Sequence, residues 1–294
     1  MFRILLDIVT CSLKRSDTAY YLTEDTILTN SIAVYGGETL NLCLNGYKLI
    51  QSENVPVIKG NQYNNVNICD CSGNRKGTIT HVEEAIGSGL ELRGGNTALY
   101  GITVSDNEAD FYGGILSSGG SARLLIEDCT VTNNTAAYDG GGISAFGELV
   151  IRNSLIDGNK ALNQAGGGIY AWGTTNIENS IISNNKAGSG GGVHAFGERS
   201  DILTIVNSSI IDNEADGSAG IAVGSNSAIV TNSIVSRNRS ITPYLGVISG
   251  AGDYIQLNNV NVTDNIGTGV YAIHTNDITP PQLIISGGKI RACF

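Results

Sequence analysis

Proline is scarce, at 4 of 294 residues, and charged residues make up only 15% of the chain. Disordered chains are rich in both, so a disordered chain is excluded. Basic clusters are missing as well. Lys and Arg number 17 against 27 Asp and Glu, which leaves a net charge of −10. Nucleic acid and anionic membranes are therefore poor partners, while cationic ligands and neutral polymers such as glycans stay open. No apolar run approaches the length of a membrane-spanning helix, so membrane insertion is not expected. The opening MFRILLDIVTCSLKR has a short apolar run broken by Asp7 and no small-residue cleavage site, so it reads poorly as a signal peptide. The glycine runs at 140–142, 166–168 and 190–192 are followed by no Lys-Ser/Thr, which excludes a phosphate loop. His81, His194 and His274 are scattered, and Cys69-Asp70-Cys71 has no answering Cys or His pair at zinc spacing. Neither a metal nor a cofactor is expected.

What the chain does have is glycine, 39 residues of it, and a repeat. One element recurs seven times, as in "LYGITVSDN", "IRNSLIDGN" and "IENSIISNN". It closes on Asn107, Asn134, Asn159, Asn185, Asn213, Asn238 and Asn265, at spacings of 27, 25, 26, 28, 25 and 27. The eighth residue back from each Asn is apolar (Leu99, Ile126, Ile151, Ile177, Ile205, Val230, Leu257). So is the third (Val104, Val131, Ile156, Ile182, Ile210, Val235, Val262). After each Asn comes a glycine-rich link and a further apolar residue: Ile115, Ile143, Ile169, Val193, Ile221, Val247 and Val270. Alternation within each element has period two, the mark of short half-buried strands, and no helical stripe is present.

Two or three short strands per period of about 26 residues describe one coil of a β-solenoid. Coils stack in parallel about 4.8 Å apart, so each slot sits on its own copy. Ala109, Ala136, Ala161, Ala187 and Ala215, two after each Asn, suit an inner corner. The stacked Asn can hydrogen-bond along the axis, as amides do in cross-β arrays. A second series, Asn153, Asn179, Asn207, Asn232 and Asn259, lies six residues before the first and is read as structural too. The sequon Asn207-Ser208-Ser209 is then expected to be buried and unglycosylated.

"NKAGSGGGVHAFG" and "NTAAYDGGGISAFG" resemble the repeat of chlamydial polymorphic outer-membrane proteins, which pair a Gly-Gly-Ala-Ile-type motif with Phe-x-x-Asn. Here the Gly-Gly-x-apolar half and the Asn are kept, and Ile or Val stands for the Phe, as in Ile182-Ser183-Asn184-Asn185. The resemblance covers roughly residues 90–275. It implies a right-handed parallel β-helix, the fold of pectate lyases, in an exported, extracellular or cell-surface, adhesin-like protein. The N-terminal segment, with "TLNLCLNGYKLI" and "VNICDCSGNRKGTIT", resembles the opening coils of surface β-helix proteins of gut Gram-positive bacteria. Cys43 and Cys69 are 26 apart and fall in one slot of adjacent coils, within reach of a disulfide.

These observations predict an all-β chain: one right-handed parallel β-helix of about eleven coils over 21–294. Residues 1–20 are a cap. Leu283, Ile285 and Ile290 fit inward slots and Cys293 stands where the next Asn is due, which suggests a helix cut at a turn and open to an end-to-end contact.

Chemistry is harder to place. A glycosidase needs facing carboxylates, and a pectate-lyase-like site needs clustered Asp with a base. Asp110 and Asp139 sit beside Tyr112 and Tyr138 in longer links, while Asp157 and Asp212 belong to a series before the closing Asn with mixed charges around it. These four are the weak catalytic candidates, and they make no mechanism. The aromatics are more informative. Alternation after Ile143, Ile169 and Val193 turns Ser144, Tyr170 and His194 outward, Ala145, Ala171 and Ala195 inward, and Phe146, Trp172 and Phe196 outward. The same slot holds Arg93 and Ser118 before them and Gly224 and Gly250 after them, so the strip is local. It has two readings: a ladder that braces adjacent strands or is covered by the 198–202 loop, or a flat platform for sugar rings. The expected function is a surface protein binding a polysaccharide or host glycan through Phe146, Tyr170, Trp172, His194 and Phe196. The alternatives are a polysaccharide lyase or hydrolase, and a structural spacer.

Overall fold

A computed structural model describes residues 3–5, 19–61, 63–73, 77–224, 227–242, 246–272 and 282–291. His274, Cys293 and most of the expected 1–20 cap lie outside them. The described residues form a parallel β-solenoid of about ten turns, one fewer than length over period gives. One reason is that Arg3–Leu5 adds no turn: it pairs antiparallel with Ala19–Tyr21.

One coil shows the plan. Ile169–Trp172 forms the first wall, Thr175–Glu178 the second, Ile181–Ser183 the third, and Lys186–Ala187 a short return strand. The next coil repeats it as Val193–Phe196, Ile202–Val206, Ser209–Ile211 and Glu214–Ala215, each in parallel register with its predecessor. The walls make up a 29-stranded sheet and the return strands a six-stranded one.

The apolar slots point inward as the alternation requires. Every residue of the eighth-back and third-back series is buried, as are the five corner alanines. Each such aliphatic side chain contributes about 1.5–3 kcal/mol when removed from water. One slot slips. Ile221 pairs with Ile248 and not with Val247, and Gly250 therefore lies opposite Val223, outside the Phe196 slot. Two adjacent apolar residues at 247–248 leave period two unable to choose between them.

The closing asparagines form a buried ladder. The Asn185 backbone N–H and Nδ2 both donate to Asn213 Oδ1, each at 3.0 Å, and Nδ2 also donates to Ile156 O at 3.0 Å. Asn185 Oδ1 in turn accepts from Asn159 N and Nδ2. The pattern runs from Asn107 to Asn265, and His81 closes its N-terminal end with Nδ1 2.7 Å from Asn107 Oδ1. The glycine links serve this ladder. A Cβ on Gly168 would stand 2.7 Å from Gly192 O and 2.9 Å from Asn185 Nδ2, so only glycine lets the link pass.

The second asparagine series is corrected by the structure. Asn153, Asn179, Asn207, Asn232 and Asn259 are exposed, with left-handed φ of 48–53° that Asn tolerates. The buried residue is the next one. Ser154, Ser180, Ser208 and Ser233 form a second ladder, the N–H of each of the first three donating 3.1 Å to the Oγ of the next. Asn207 of the sequon thus faces solvent. Cys129 occupies the same slot, its N–H donating to Ser154 Oγ.

The cysteine pairing also differs. Cys43 and Cys69 are register partners, as their spacing requires, but Cys43 is bonded to Cys71, with Cα atoms 6.0 Å apart. The turn after Cys69 is the reason. Asp70 accepts from the N–H groups of Gly46, Ser72 and Gly77, which folds the chain back and carries Cys71 over Cys43. Cys69 is disulfide-bonded as well. The three sulfurs lie within 4.8 Å of one another, yet as disulfides they are not the thiolates a metal needs.

Candidate functional site: an aromatic face

The first wall carries the aromatics. Phe146, Trp172 and Phe196 occupy one slot on three successive coils, and Ser144, Tyr170 and His194 another. Ala145, Ala171 and Ala195 between them are buried. The alternation is therefore as expected, but the two outward slots differ in cover. The glycine link curls back over Ser144, Tyr170 and His194, so Ser144 is fully buried, Tyr170 half-buried and His194 largely buried. Phe196 is also partly covered, because its ring lies over Gly224, where a Cβ would overlap it. Trp172 remains 43% exposed.

The rings form a longer network than the strip alone. Trp172 and Phe196 have centroids 4.9 Å apart, and Phe196, His194 and Tyr170 stack in sequence. Tyr170 then meets Phe146, and Phe146 meets Tyr112 edge-on at 5.7 Å. Tyr112 lies beside Phe111, which stacks on Tyr138 at 5.3 Å. Eight rings are thus continuous. Phe111 (62% exposed), Tyr112 and Tyr138 (43%) were not picked out by alternation because they lie in the links, not the strands. Their offset was the available signal: Phe111 and Tyr138 each stand four residues after a closing Asn.

Two grooves flank Phe146. One, of about 660 Å³, is lined by Phe111, Tyr112, Phe146, Glu91, Arg93 and Asp110, among others. The second, of about 620 Å³, is lined by Phe146, Trp172, Glu148, Glu198, Asp201 and Thr174, with glycines between them. The 198–201 turn stands at the edge of the second groove and leaves Trp172 open. Asp201 Oδ1 accepts from Thr174 Oγ1 and Oδ2 from Glu198 N, so that edge is fixed.

The four candidate carboxylates are not brought together. Asp110 lines the first groove and is exposed. Asp139 is half-buried, and burial pushes its carboxyl up although Ala165 N–H donates to it at 3.0 Å. Burial, reinforced by the Asp139 charge, likewise raises Tyr112 and Tyr170. Asp157 and Asp212 belong to the third wall and its turn. Asp157 accepts from Ser183 Oγ at 2.6 Å and Asn184 Nδ2 at 2.7 Å, and Asp212 is held by both arms of Arg237. Burial lowers His194 to about 4, and its Nδ1 has no hydrogen-bond partner among the described residues. It contributes a flat ring to the stack.

Fold and face together define a parallel β-solenoid with one aromatic, grooved wall. The chain belongs to the family described as the right-handed β-helix region, whose model matches residues 88–244 and covers the ladder from Asn107 to Asn238 and the aromatic face. No curated protein and no solved structure matches the sequence. No helix among the described residues is long and apolar enough to cross a membrane.

Proposed function

We propose that this β-helix is an exported surface protein that binds a polysaccharide along its aromatic wall. The observation that carries this reading is the eight-ring network with open grooves beside it. Rings serving only to brace strands have no need to leave Phe111, Tyr138 and Trp172 in water. Tyr and Trp present broad apolar faces at low entropic cost, which suits the apolar faces of sugar rings. The Cys43–Cys71 bond supports residence in an oxidising, extracellular compartment. The likeness of the repeats to polymorphic outer-membrane proteins supports an adhesin-like role.

Binding without cleavage is favoured over a lyase or hydrolase. Glycosidic cleavage needs a pair of carboxylates flanking the bond. Asp157 and Asp212 are committed to Ser183, Asn184 and Arg237 on another wall. In the grooves Glu91, Glu148 and Asp201 are engaged by Arg93, Arg123 and Thr174, which leaves one unengaged carboxylate in each, Asp110 and Glu198. A glycan array probed with the chain and with Trp172→Ala tests the proposal. The expected result is saccharide binding that falls at least tenfold in the variant while its melting temperature stays close to that of the parent. Unchanged binding combined with a lower melting temperature in Trp172→Ala and Phe146→Ala would make the rings a structural ladder.

A further inference from the structure

We infer that the glycan taken by this wall is an amino-sugar polymer carrying free amines, and that polyuronates are rejected. The inference rests on the polysaccharide reading and adds the charge of the ligand to it.

The grooves are aromatic and acidic at once. Five carboxylates line them, from Glu91, Asp110, Glu148, Glu198 and Asp201, against one cation, Arg93. Arg93 is neutralised by Glu91 at 3.0 Å, and Glu148 is paired with Arg123 at 2.7 Å just outside the second groove. That pairing leaves Asp110 in one groove and Glu198 and Asp201 in the other uncompensated by any ion pair among the described residues. Arg199, next to Glu198, pairs with Asp253. The chain as a whole carries −10, so nothing distant reverses the local sign.

This pairing of groups selects a ligand chemistry. An aromatic face attracts an ammonium through its quadrupole, most strongly when the ring is Trp. Neighbouring carboxylates add direct charge attraction, and a like-charged ligand meets repulsion instead. Trp172 beside Glu198 and Asp201 has both elements. A polyuronate would bring one carboxylate per unit against this surface.

The shape favours a saccharide over a cationic peptide. Arg93, Ser118, Phe146, Trp172 and Phe196 share one slot on five coils, a run of about 19 Å at the coil spacing. One slot recurs per coil, close to the length of one pyranose unit. The backbone of this wall is paired on both sides, so it has no free strand edge for a peptide to extend.

The test is calorimetric titration of the chain with glucosamine oligomers, their N-acetylated counterparts, oligogalacturonate and polylysine. The glucosamine oligomer should bind at least tenfold more tightly than the acetylated one, and oligogalacturonate should not bind. Glu198→Gln with Asp110→Asn should abolish most of that preference. Both positions are exposed, so the fold is not at risk, and Asp201→Asn is a third variant checked by its melting temperature. Trp172→Ala should weaken both amino-sugar oligomers. Equal or tighter binding of the acetylated or uronate oligomers overturns the amine inference but leaves the polysaccharide reading standing. Polylysine binding as tightly as glucosamine, and unaffected by Trp172→Ala, overturns it in favour of a cationic peptide. Binding of no saccharide at all overturns both.

Discussion

Asn185 and Trp172 sit on one coil and follow different logic. Asn185 is buried, every polar atom of its amide is bonded to the coils on either side, and the same residue type recurs at that slot from 107 to 265. Trp172 is half in water, and its slot changes from Arg93 through Ser118 and Phe146 before becoming Trp and then Phe. Repetition marks a slot that its neighbours dictate. A local departure from repetition, on an outward position of a rigid wall, marks a slot that the stack leaves free for something else.

The sharpest way to break this contrast is to damage the ladder. Asn185→Ala strips the buried Asn159 N–H of its acceptor, while Asn159 Nδ2 keeps Val131 O and Asp157 O. At about 1–3 kcal/mol for an orphaned buried group, the loss should reach about 3 kcal/mol in urea unfolding. Next comes pH. Burial holds His194 at about 4 against an ordinary 6.5, so its neutral form belongs to the fold. Stability should be full above about pH 6.5 and fall as pH drops toward 4, by about 3 kcal/mol at most from this group. His194→Phe keeps a ring between Tyr170 and Phe196 and should flatten that part of the pH–stability curve. An unchanged slope would mean that His194 is not the titrating group. Trp172→Ala should cost only about 1 kcal/mol, the value of its stacking on Phe196, measured by thermal melting.

The smallest effect is expected at Cys129. Its sulfur is buried, pushed up to about 11 by burial, and contacts Glu127 O as the ladder serines contact their own carbonyls. Cys129→Ser should therefore join the serine ladder with a change in melting temperature of no more than a few degrees. In the parent protein this thiol should resist alkylation until the chain unfolds.

The sequence made the inward wall legible because each slot is written five to seven times over. The eighth-back and third-back residues, the alanine corners and the Asn ladder are all where alternation and spacing put them. Legibility failed where one copy had to be read alone. At 247–248 two apolar neighbours hid a one-residue slip. At Cys43 the spacing gave the stacking slot, but the turn braced by Asp70 chose the sulfur partner. At Asn207 the wrong member of an Asn-Ser pair was placed inside, since a left-handed turn exposes the Asn and buries the Ser. The strand part of the aromatic face was legible from the outward slots. Phe111, Tyr112 and Tyr138 reach it from links whose path no periodicity describes.

Trp172 is the one tryptophan of the chain, so intrinsic fluorescence reports on the wall directly. Titrating the protein with a saccharide that it binds should shift the emission and shield it from acrylamide, with a midpoint equal to the binding midpoint. A saccharide that binds with undiminished affinity while the Trp172 emission and its quenching stay unchanged would place the binding site elsewhere and contradict the account.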